Sequence, residues 1–132
     1  MQKHNYNKSI LTNYNLQDTL LGGQAFCFDF YNEWFYGFTQ NRIIKLKQEK
    51  NNLFWQTFPK KDDFDFLQKY LKLNVNYNEI LKTISKDSHV INAIKKYPNL
   101  RLLNQDFEQT LLSYIISSNN TIKNIRKSVR LL

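Results

Sequence analysis

The sequence predicts an α+β fold, and three observations lead to that prediction. Through the first half, large aromatic and aliphatic residues occupy alternate positions, which is the period of a β-strand. In the second half, apolar residues recur at helical spacing behind Asn, Asp and Thr residues that can cap helices. The chain has 132 residues, of which 42% are apolar and 15% aromatic, so it can bury the core of one small domain.

Four strands are predicted in the first half. They cover residues 25–31, 34–39, 42–48 and 53–58. Two-residue turns at 32–33 and 40–41 predict that these strands form an antiparallel meander. Residues 10–16 are a candidate for an additional edge strand.

Three helices are predicted to follow the sheet. The first begins after Asp63 and covers residues 64–73. The second begins at Asn76 or Asn78. The third begins at Asp87 or Ser88 and closes at residues 98–99. Residues 100–103 are predicted to form a short extended connector.

Two more helices are predicted at the end of the chain. Asp106 is expected to cap a strongly apolar helix that residues 117–120 interrupt. A last basic helix is expected to run from Thr121 to Leu132, because no stop signal appears in that stretch. Its apolar stripe has no evident partner in the remaining sequence and consists of Ile122, Ile125, Val129 and Leu132.

Several classes of protein and site are excluded. One cysteine, Cys27, rules out an internal disulfide framework and a Cys-rich zinc site, and the two distant histidines, His4 and His89, argue against a His-based metal site. We therefore expect no metal and no cofactor. No apolar run approaches the ~18 residues of a membrane span, and no signal peptide is evident, so we expect an intracellular protein of the cytoplasm or nucleoid with no membrane partner.

Positive charge is concentrated at the end of the chain. The formal net charge is +8, and no acidic residue follows Glu108. A helix N-terminus followed by basic side chains is typical of a phosphate-backbone site, with Lys123, Arg126 and Lys127 as candidate phosphate contacts. The alternative interpretation is a solvated helix face in a lysine-rich protein, and the sequence alone leaves both open.

Two small motifs have ordinary interpretations on their own. The pair Gly22 and Gly23 precedes the first strand, where glycine marks either a simple turn or a close approach of the backbone to another group. Asn119 and Asn120 lie between two predicted helices and are typical of a turn and cap.

Together, however, five segments resemble one family in the same order along the chain. Residues 22–26, Gly-Gly-Gln-Ala-Phe, resemble the N-terminal signature of 8-oxoguanine DNA glycosylases, and residues 112–122, ending in Ser-Ser-Asn-Asn-Thr-Ile, resemble that family's Ser-Ser-Asn-Asn-Asn-Ile motif. The other three segments are residues 34–48, 70–77 and 100–106.

The resemblance implies a fold and a division into domains. The expected fold is a TATA-binding-protein-like antiparallel sheet with helices, leading into an all-helical domain. Residues 1–104 would form the N-terminal α+β domain, and residues 105–132 would begin the helical glycosylase domain.

The resemblance also implies roles for individual residues. Such enzymes extrude the damaged base from duplex DNA containing 8-oxoguanine. The lesion carries a proton on N7 that guanine lacks, and the carbonyl that accepts it corresponds to Gly23, within the Gly23–Gln24 recognition pair. Asn119 would contact the orphaned cytosine, with Asn120 and Asn124 as further DNA contacts. Asn124 falls where many relatives have an arginine.

The family's catalytic Lys, in a helix-hairpin-helix segment, and its assisting Asp have no counterpart here. We therefore expect the chain to be the N-terminal part of a bifunctional glycosylase and AP lyase, inactive alone, with a C-terminal catalytic half missing. Two alternatives are a stand-alone, non-catalytic nucleic-acid-binding module, whose last helix a partner or dimer would cap, and a structural interaction domain whose charge reflects genome composition.

Overall fold

A computed structural model describes residues 6–131, and in that range it contains five strands and six helices. The strands are β1 (Asn7–Ile10), β2 (Phe28–Tyr31), β3 (Trp34–Thr39), β4 (Arg42–Glu49) and β5 (Asn52–Phe58). The helices are α1 (Leu16–Leu21), α2 (Phe64–Tyr70), α3 (Tyr77–Ile84), α4 (Ser88–Lys96), α5 (Phe107–Ser117) and α6 (Ile122–Val129). The predicted α+β fold is confirmed. None of these helices is long and apolar enough to cross a membrane.

The strands form one antiparallel sheet in the order β1-β5-β4-β3-β2. Strands β2 to β5 follow one another as the predicted meander, and β1 pairs with β5 at the edge. Asn32 and Glu33 in the first turn, like Gln40 and Asn41 in the second, all have positive φ. This backbone conformation matches the twist of two-residue hairpins, which is why the turns lie where the sequence predicts them.

The core lies between one face of the sheet and helices α1 and α2. In β3 and β5, buried residues alternate with more exposed ones, as a one-sided sheet requires. Leu46 and Leu53 of the sheet, Leu16 of α1 and Leu67 of α2 have no exposed surface. Each such side chain contributes roughly 1.5–3 kcal/mol to stability through its burial.

Gly37 makes room for an aromatic ring in this core. It lies opposite Phe28 in the pairing of β2 with β3. A Cβ atom on Gly37 would lie only 2.4 Å from Cε1 of Phe28, whose ring is 1% exposed. The missing side chain therefore lets this ring pack directly against the backbone of β3.

The first thirty residues differ from the prediction in two ways. The strand predicted from residue 25 begins at Phe28, because residues 25–27 bend between the preceding loop and the sheet. The edge strand predicted over 10–16 ends at Ile10, and a short helix, α1, follows it. His4 lies outside the described residues.

Contacts on both sides of Asn15 explain the unpredicted helix α1. The Asn15 side chain accepts the backbone N–H of Asp18 at 3.0 Å and thereby caps the helix. The backbone N–H of Leu16 donates to Oε1 of Gln48 at 2.8 Å. The second contact comes from β4, so no local pattern could indicate it.

The next three helices begin after predicted residues, but only α4 has a side-chain cap. The prediction that Asp63 caps α2 is wrong, because its side chain makes no capping hydrogen bond and instead binds Arg42 and Lys60. α2 ends at Tyr70 instead of continuing to residue 73, because Lys72 adopts a φ of 52°.

Asn76, and not Asn78, precedes α3. Asp87 caps α4, because its carboxylate accepts the backbone N–H groups of His89 and Val90, at 2.7 and 3.1 Å.

The last two helices confirm the predicted start points. Asp106 caps α5 by accepting the N–H of Gln109 at 2.9 Å, and Thr121 caps α6. However, α6 ends at Val129, earlier than predicted. Leu132 lies outside the described residues.

The apolar stripe of α6 is also less exposed than predicted. Ile125 and Val129 are 4% and 8% exposed, whereas Ile122 is 62% exposed. The expectation that the stripe lacks a partner within the chain is therefore wrong for Ile125 and Val129. The helix packs with α5, and Arg130 just beyond it forms an ion pair with Asp29 of β2.

Candidate DNA-binding site

The loop after α1 contains two glycines, and a different structural feature requires glycine at each position. A Cβ atom on Gly22 would lie 2.3 Å from the carbonyl oxygen of Asp18, so only glycine fits there. Gly23 has a φ of 90°, and a Cβ atom there would meet nothing within 4 Å. Gly23 is exposed, so its backbone faces open space in a conformation that other residues rarely adopt.

The side chain of Gln24 holds this loop in place. Its Nε2 group donates to the carbonyl oxygen of Thr19 in α1 at 2.8 Å and to that of Arg101 at 2.7 Å. Its Oε1 atom accepts the backbone N–H of Leu103 at 3.0 Å. Both ends of the amide are thus occupied by backbone groups, so the structure gives Gln24 a positioning role. Its participation in lesion recognition stays a prediction, and these contacts would make it an indirect one, through the orientation of Gly23.

Arg101, which no sequence pattern singled out, anchors the connector that Gln24 contacts. Its guanidinium donates to the carbonyl oxygens of Pro98 and Leu100, at 3.0 and 2.9 Å, and to that of Asn13. It also lies 4.3 Å from the centroid of the Tyr77 ring. Burial lowers the pKa of this guanidinium from its usual value. A single arginine within an otherwise apolar connector was the only available signal.

The two asparagines between α5 and α6 have separate roles. Asn120 is used locally, because its Nδ2 donates to the carbonyl of Ile116 at 3.2 Å and its Oδ1 accepts the N–H of Thr121 at 2.9 Å. Asn119 is exposed and has a φ of 53°, a left-handed conformation that asparagine tolerates better than most residues. Among residues 6–131, the Asn119 amide makes no hydrogen bond, so it is available to a ligand.

Two of the predicted phosphate contacts lie on α6 with unpaired, exposed side chains in the described part of the chain. Lys123 and Lys127 are exposed, lie four positions apart on one helix face, and form no ion pair within the described part of the chain. Arg126 is half-buried, and its Nε atom is buried without a hydrogen-bond partner. Arg130 is already paired with Asp29. Lys123 and Lys127 are therefore the stronger candidates.

Asn124 lies on the exposed side of the first turn of α6. Its backbone N–H donates to Oγ1 of Thr121 at 3.4 Å, and its side chain is exposed. A contact between Asn124 and DNA stays a prediction. Between residues 6 and 131, no hydrogen bond or ion pair joins the Gly22–Gln24 loop directly to the turn at Asn119. The loop is instead tied to the connector that leads into α5.

The described side chains include no group prepared for nucleophilic attack. Burial raises the pKa of the Cys27 thiol to about 11, so the reactive thiolate is scarce at neutral pH. Every lysine from Lys8 to Lys127 is partly or fully exposed, whereas a nucleophilic lysine is usually activated by desolvation or by a neighbouring cation. No group of three or more His, Cys, Asp and Glu residues suited to a metal ion occurs among residues 6–131.

Comparison with known proteins gives consistent results. A family model described as the N-terminal domain of 8-oxoguanine DNA glycosylase matches residues 8–111. The structure of MBOgg1 in complex with a low affinity DNA ligand is 29% identical, with a TM-score of 0.79, and the alignment covers 93% of this chain and 46% of that chain.

Two structures of the Clostridium acetobutylicum 8-oxoguanine glycosylase/lyase share the fold. The apo form is 24% identical over 92% of this chain and 46% of that chain, with a TM-score of 0.77. The complex with double-stranded DNA containing cytosine opposite 8-oxoG is 23% identical over 96% and 47%, also with a TM-score of 0.77. The chain thus spans about half the length of these solved structures.

The family match extends over most of the chain, includes the Gly23 loop, and ends within the first half of α5, before the turn at Asn119. The five-stranded sheet and its helices are arranged as in the structures of that family. The chain therefore belongs to the 8-oxoguanine DNA glycosylase family, through that family's N-terminal domain.

Proposed function

We propose that this chain is the lesion-recognising and DNA-contacting part of a bifunctional 8-oxoguanine DNA glycosylase and AP lyase. Its partner would be double-stranded DNA that contains 8-oxoguanine, so it would act inside the cell, in the cytoplasm or nucleoid. The relatives with solved structures include complexes with DNA, one of them with 8-oxoG opposite cytosine.

The free amide of Asn119 is the observation that carries this proposal. Asn120 beside it is occupied in capping, while Asn119 exposes both a donor and an acceptor at the tip of the turn. An orphaned cytosine offers both kinds of group on its pairing edge, so one asparagine can satisfy it. Lys123 and Lys127 follow directly on α6 and would hold the adjacent phosphates.

Gly23 supplies the second element of the proposal. Its carbonyl would accept the N7 proton of 8-oxoguanine, which guanine does not have. The open space at its Cβ position allows a flat base to lie close to the backbone. One such hydrogen bond would discriminate the lesion from guanine by roughly 1–3 kcal/mol.

We further propose that the catalytic lysine and aspartate lie outside this chain, in a helical catalytic half. Residues 1–104 would then form the recognition domain and residues 105–132 the start of the helical domain. The exposure of the described lysines supports this division of labour. The chain by itself would contact DNA without breaking the glycosidic bond.

Exposed apolar surface supports the existence of such a helical half. On α5, Phe107 is 77% exposed, Tyr114 73% and Ile115 59%. Helices α3 and α4 border a groove of about 760 Å³ whose lining includes Ile84 and Tyr97, and no residue of α3, α4 or α5 is fully buried. Apolar surfaces of this kind are usually covered by another part of a protein or by a partner.

A stand-alone, non-catalytic nucleic-acid-binding module is the second candidate function. The burial of Ile125 and Val129 favours it, because α6 already packs within the chain and needs no partner to cap it. The exposed apolar residues of α5 argue against it. Recovery of the chain as a monodisperse monomer that binds duplex DNA equally well with and without the lesion would favour the module.

Replacing both Lys123 and Lys127 by Gln is expected to weaken binding to an 8-oxoguanine duplex and to change its salt dependence. Each phosphate contact contributes about 0.9 to the slope of log K against log salt concentration, so the double variant should reduce the slope by about 1.8. Fluorescence anisotropy at several salt concentrations measures this slope.

The matched control is Lys82→Gln with Lys86→Gln, which removes two exposed charges near the other end of the helical region. This control should leave the slope within error of the unaltered chain. Equal loss of slope in both double variants would show that only net charge matters, and it would contradict a phosphate site on α6.

A further inference from the structure

The face of the sheet opposite the core is rich in aromatic rings. We name it the outer sheet face. Tyr31, Phe38 and Phe58 on this face are 67%, 56% and 58% exposed. Its rings are contributed by Tyr31 of β2, by Trp34, Tyr36 and Phe38 of β3, and by Phe54 and Phe58 of β5. An antiparallel sheet that only faces water would be expected to have polar residues at these positions.

Lysines are interleaved with these rings. Lys45 of β4 lies between β3 and β5, with its Nζ atom 4.4 Å from the centroid of Trp34 and 5.4 Å from that of Tyr36. Lys8 of β1 lies 5.8 Å from the centroid of Phe54. The pairing of strands therefore brings rings and ammonium groups together on one surface.

The charges of these lysines are not all neutralised. Lys47 forms ion pairs with Glu33 and Glu49, at 2.9 and 2.7 Å. Lys8 and Lys45, by contrast, have no carboxylate within ion-pair distance among residues 6–131.

Trp34 and Phe54 are half-buried, and the Trp34 ring already packs against the Tyr6 ring, with 4.5 Å between their centroids. The rings of Tyr31 and Phe38 are open, so the outer sheet face combines exposed rings with two cations that an anionic ligand can approach.

We propose that the outer sheet face binds single-stranded nucleic acid, with bases stacked on the exposed rings of Tyr31 and Phe38 and phosphates held by Lys8 and Lys45. Base stacking on aromatic side chains, combined with cations that follow the backbone, is the general means of binding single strands without sequence preference. A duplex keeps the faces of its bases inside its own stack, so exposed rings favour an unpaired strand. The ion pair of Arg130 with Asp29 places this face beside the end of α6.

The role of the rings is tested with oligo(dT), which cannot pair with itself. Binding of a fluorescein-labelled oligo(dT) of about twenty nucleotides is measured by anisotropy at low salt. The double variant Tyr31→Leu with Phe38→Leu is expected to bind at least about tenfold more weakly, because each stacked base contributes roughly 1–3 kcal/mol. Tyr97→Leu is the matched control, since Tyr97 is also an exposed ring with a lysine, Lys96, 5.5 Å from its centroid.

The role of the lysines is tested without altering the core. Lys8→Gln with Lys45→Gln is expected to weaken oligo(dT) binding and to reduce the salt slope by about 1.4, at about 0.7 per phosphate of a single strand. Lys82→Gln with Lys86→Gln should leave both unchanged. Circular dichroism of every variant shows whether it remains folded, and the lysine variant keeps the test informative if the ring variant does not fold.

Three results would overturn this inference. They are no binding of oligo(dT) by the unaltered chain, binding that neither double variant weakens, and a change of oligomeric state in the variants, which would assign the face to a protein contact. Duplex binding measured in parallel separates this inference from the proposed function. The variant of Lys123 and Lys127 should lose duplex affinity and keep oligo(dT) affinity, whereas the variants of the outer sheet face should do the reverse.

Discussion

Replacing Gln24 by Glu is expected to lower the free energy of unfolding by about 3 kcal/mol at neutral pH. The substitution keeps the shape of the side chain but turns the donating Nε2 group into an oxygen. Two carbonyl oxygens, those of Thr19 and Arg101, would then face a carboxylate instead of an N–H donor. Urea unfolding followed by fluorescence measures the loss.

The same variant makes a prediction about pH. The carbonyl oxygens disfavour the charged form, so the pKa of the new carboxyl is raised in the folded state relative to the unfolded state. The destabilisation is therefore full above the folded-state pKa and shrinks as the pH falls through it, because a protonated carboxyl again donates one hydrogen bond. The free energies of unfolding of the variant and of the unaltered chain, measured between about pH 4 and pH 8, should converge toward the low end of that range.

Gln109→Glu is the matched control for this prediction. Gln109 also donates through Nε2 to a single carbonyl oxygen, that of Phe38 at 3.0 Å, but in an exposed setting. Its replacement should change stability by less than about 1 kcal/mol and with little dependence on pH. Equal effects at the two positions would contradict the positioning role of Gln24.

Replacing Asn119 by Gly is expected to separate the DNA contact from the stability of the turn. Glycine adopts the left-handed conformation of Asn119 without strain, so the free energy of unfolding should change little. Loss of the amide should weaken binding to a duplex with 8-oxoguanine opposite cytosine by about 1–2 kcal/mol, which is roughly 5- to 30-fold in Kd. Anisotropy titrations and urea unfolding give the two quantities.

Asn120→Ala should show the opposite behaviour. Its amide links the end of α5 to the start of α6, so its removal should lower stability by about 1 kcal/mol. Duplex affinity should change less than in the Asn119 variant. If Asn120→Ala reduced affinity more than Asn119→Gly, the assignment of the two asparagines would have to be exchanged.

The sheet could be predicted from the sequence because its signals are local. The alternation of residues in β3, β4 and β5 and the two-residue turns between them depend on neighbours in the chain. Helix α1 could not be predicted, because it has only six residues and depends on Gln48 of β4. The burial of the apolar residues of α6 likewise depends on distant parts of the chain, as the pairing of Arg130 with Asp29 illustrates.

In the candidate site too, features with local signals could be predicted, and features that depend on distant residues could not. Gly23 and Asn119 could be singled out from the motifs that contain them, and both have positive φ values. The task of Gln24 could not be seen, since its partners Arg101 and Leu103 lie 77 and 79 positions away. The same is true of the difference between Lys123 and Lys127, which are free, and Arg130, which is paired across the fold.

The most direct test of the proposed division of labour is borohydride trapping with a duplex that contains 8-oxoguanine opposite cytosine. A catalytic lysine forms a Schiff base with the sugar, and reduction makes that link permanent. Under conditions in which anisotropy shows the chain bound to the duplex, we expect a reversible complex, no trapped adduct and no release of 8-oxoguanine. A covalent adduct between this chain and the DNA would show that one of its own side chains is the nucleophile, and it would contradict the proposal.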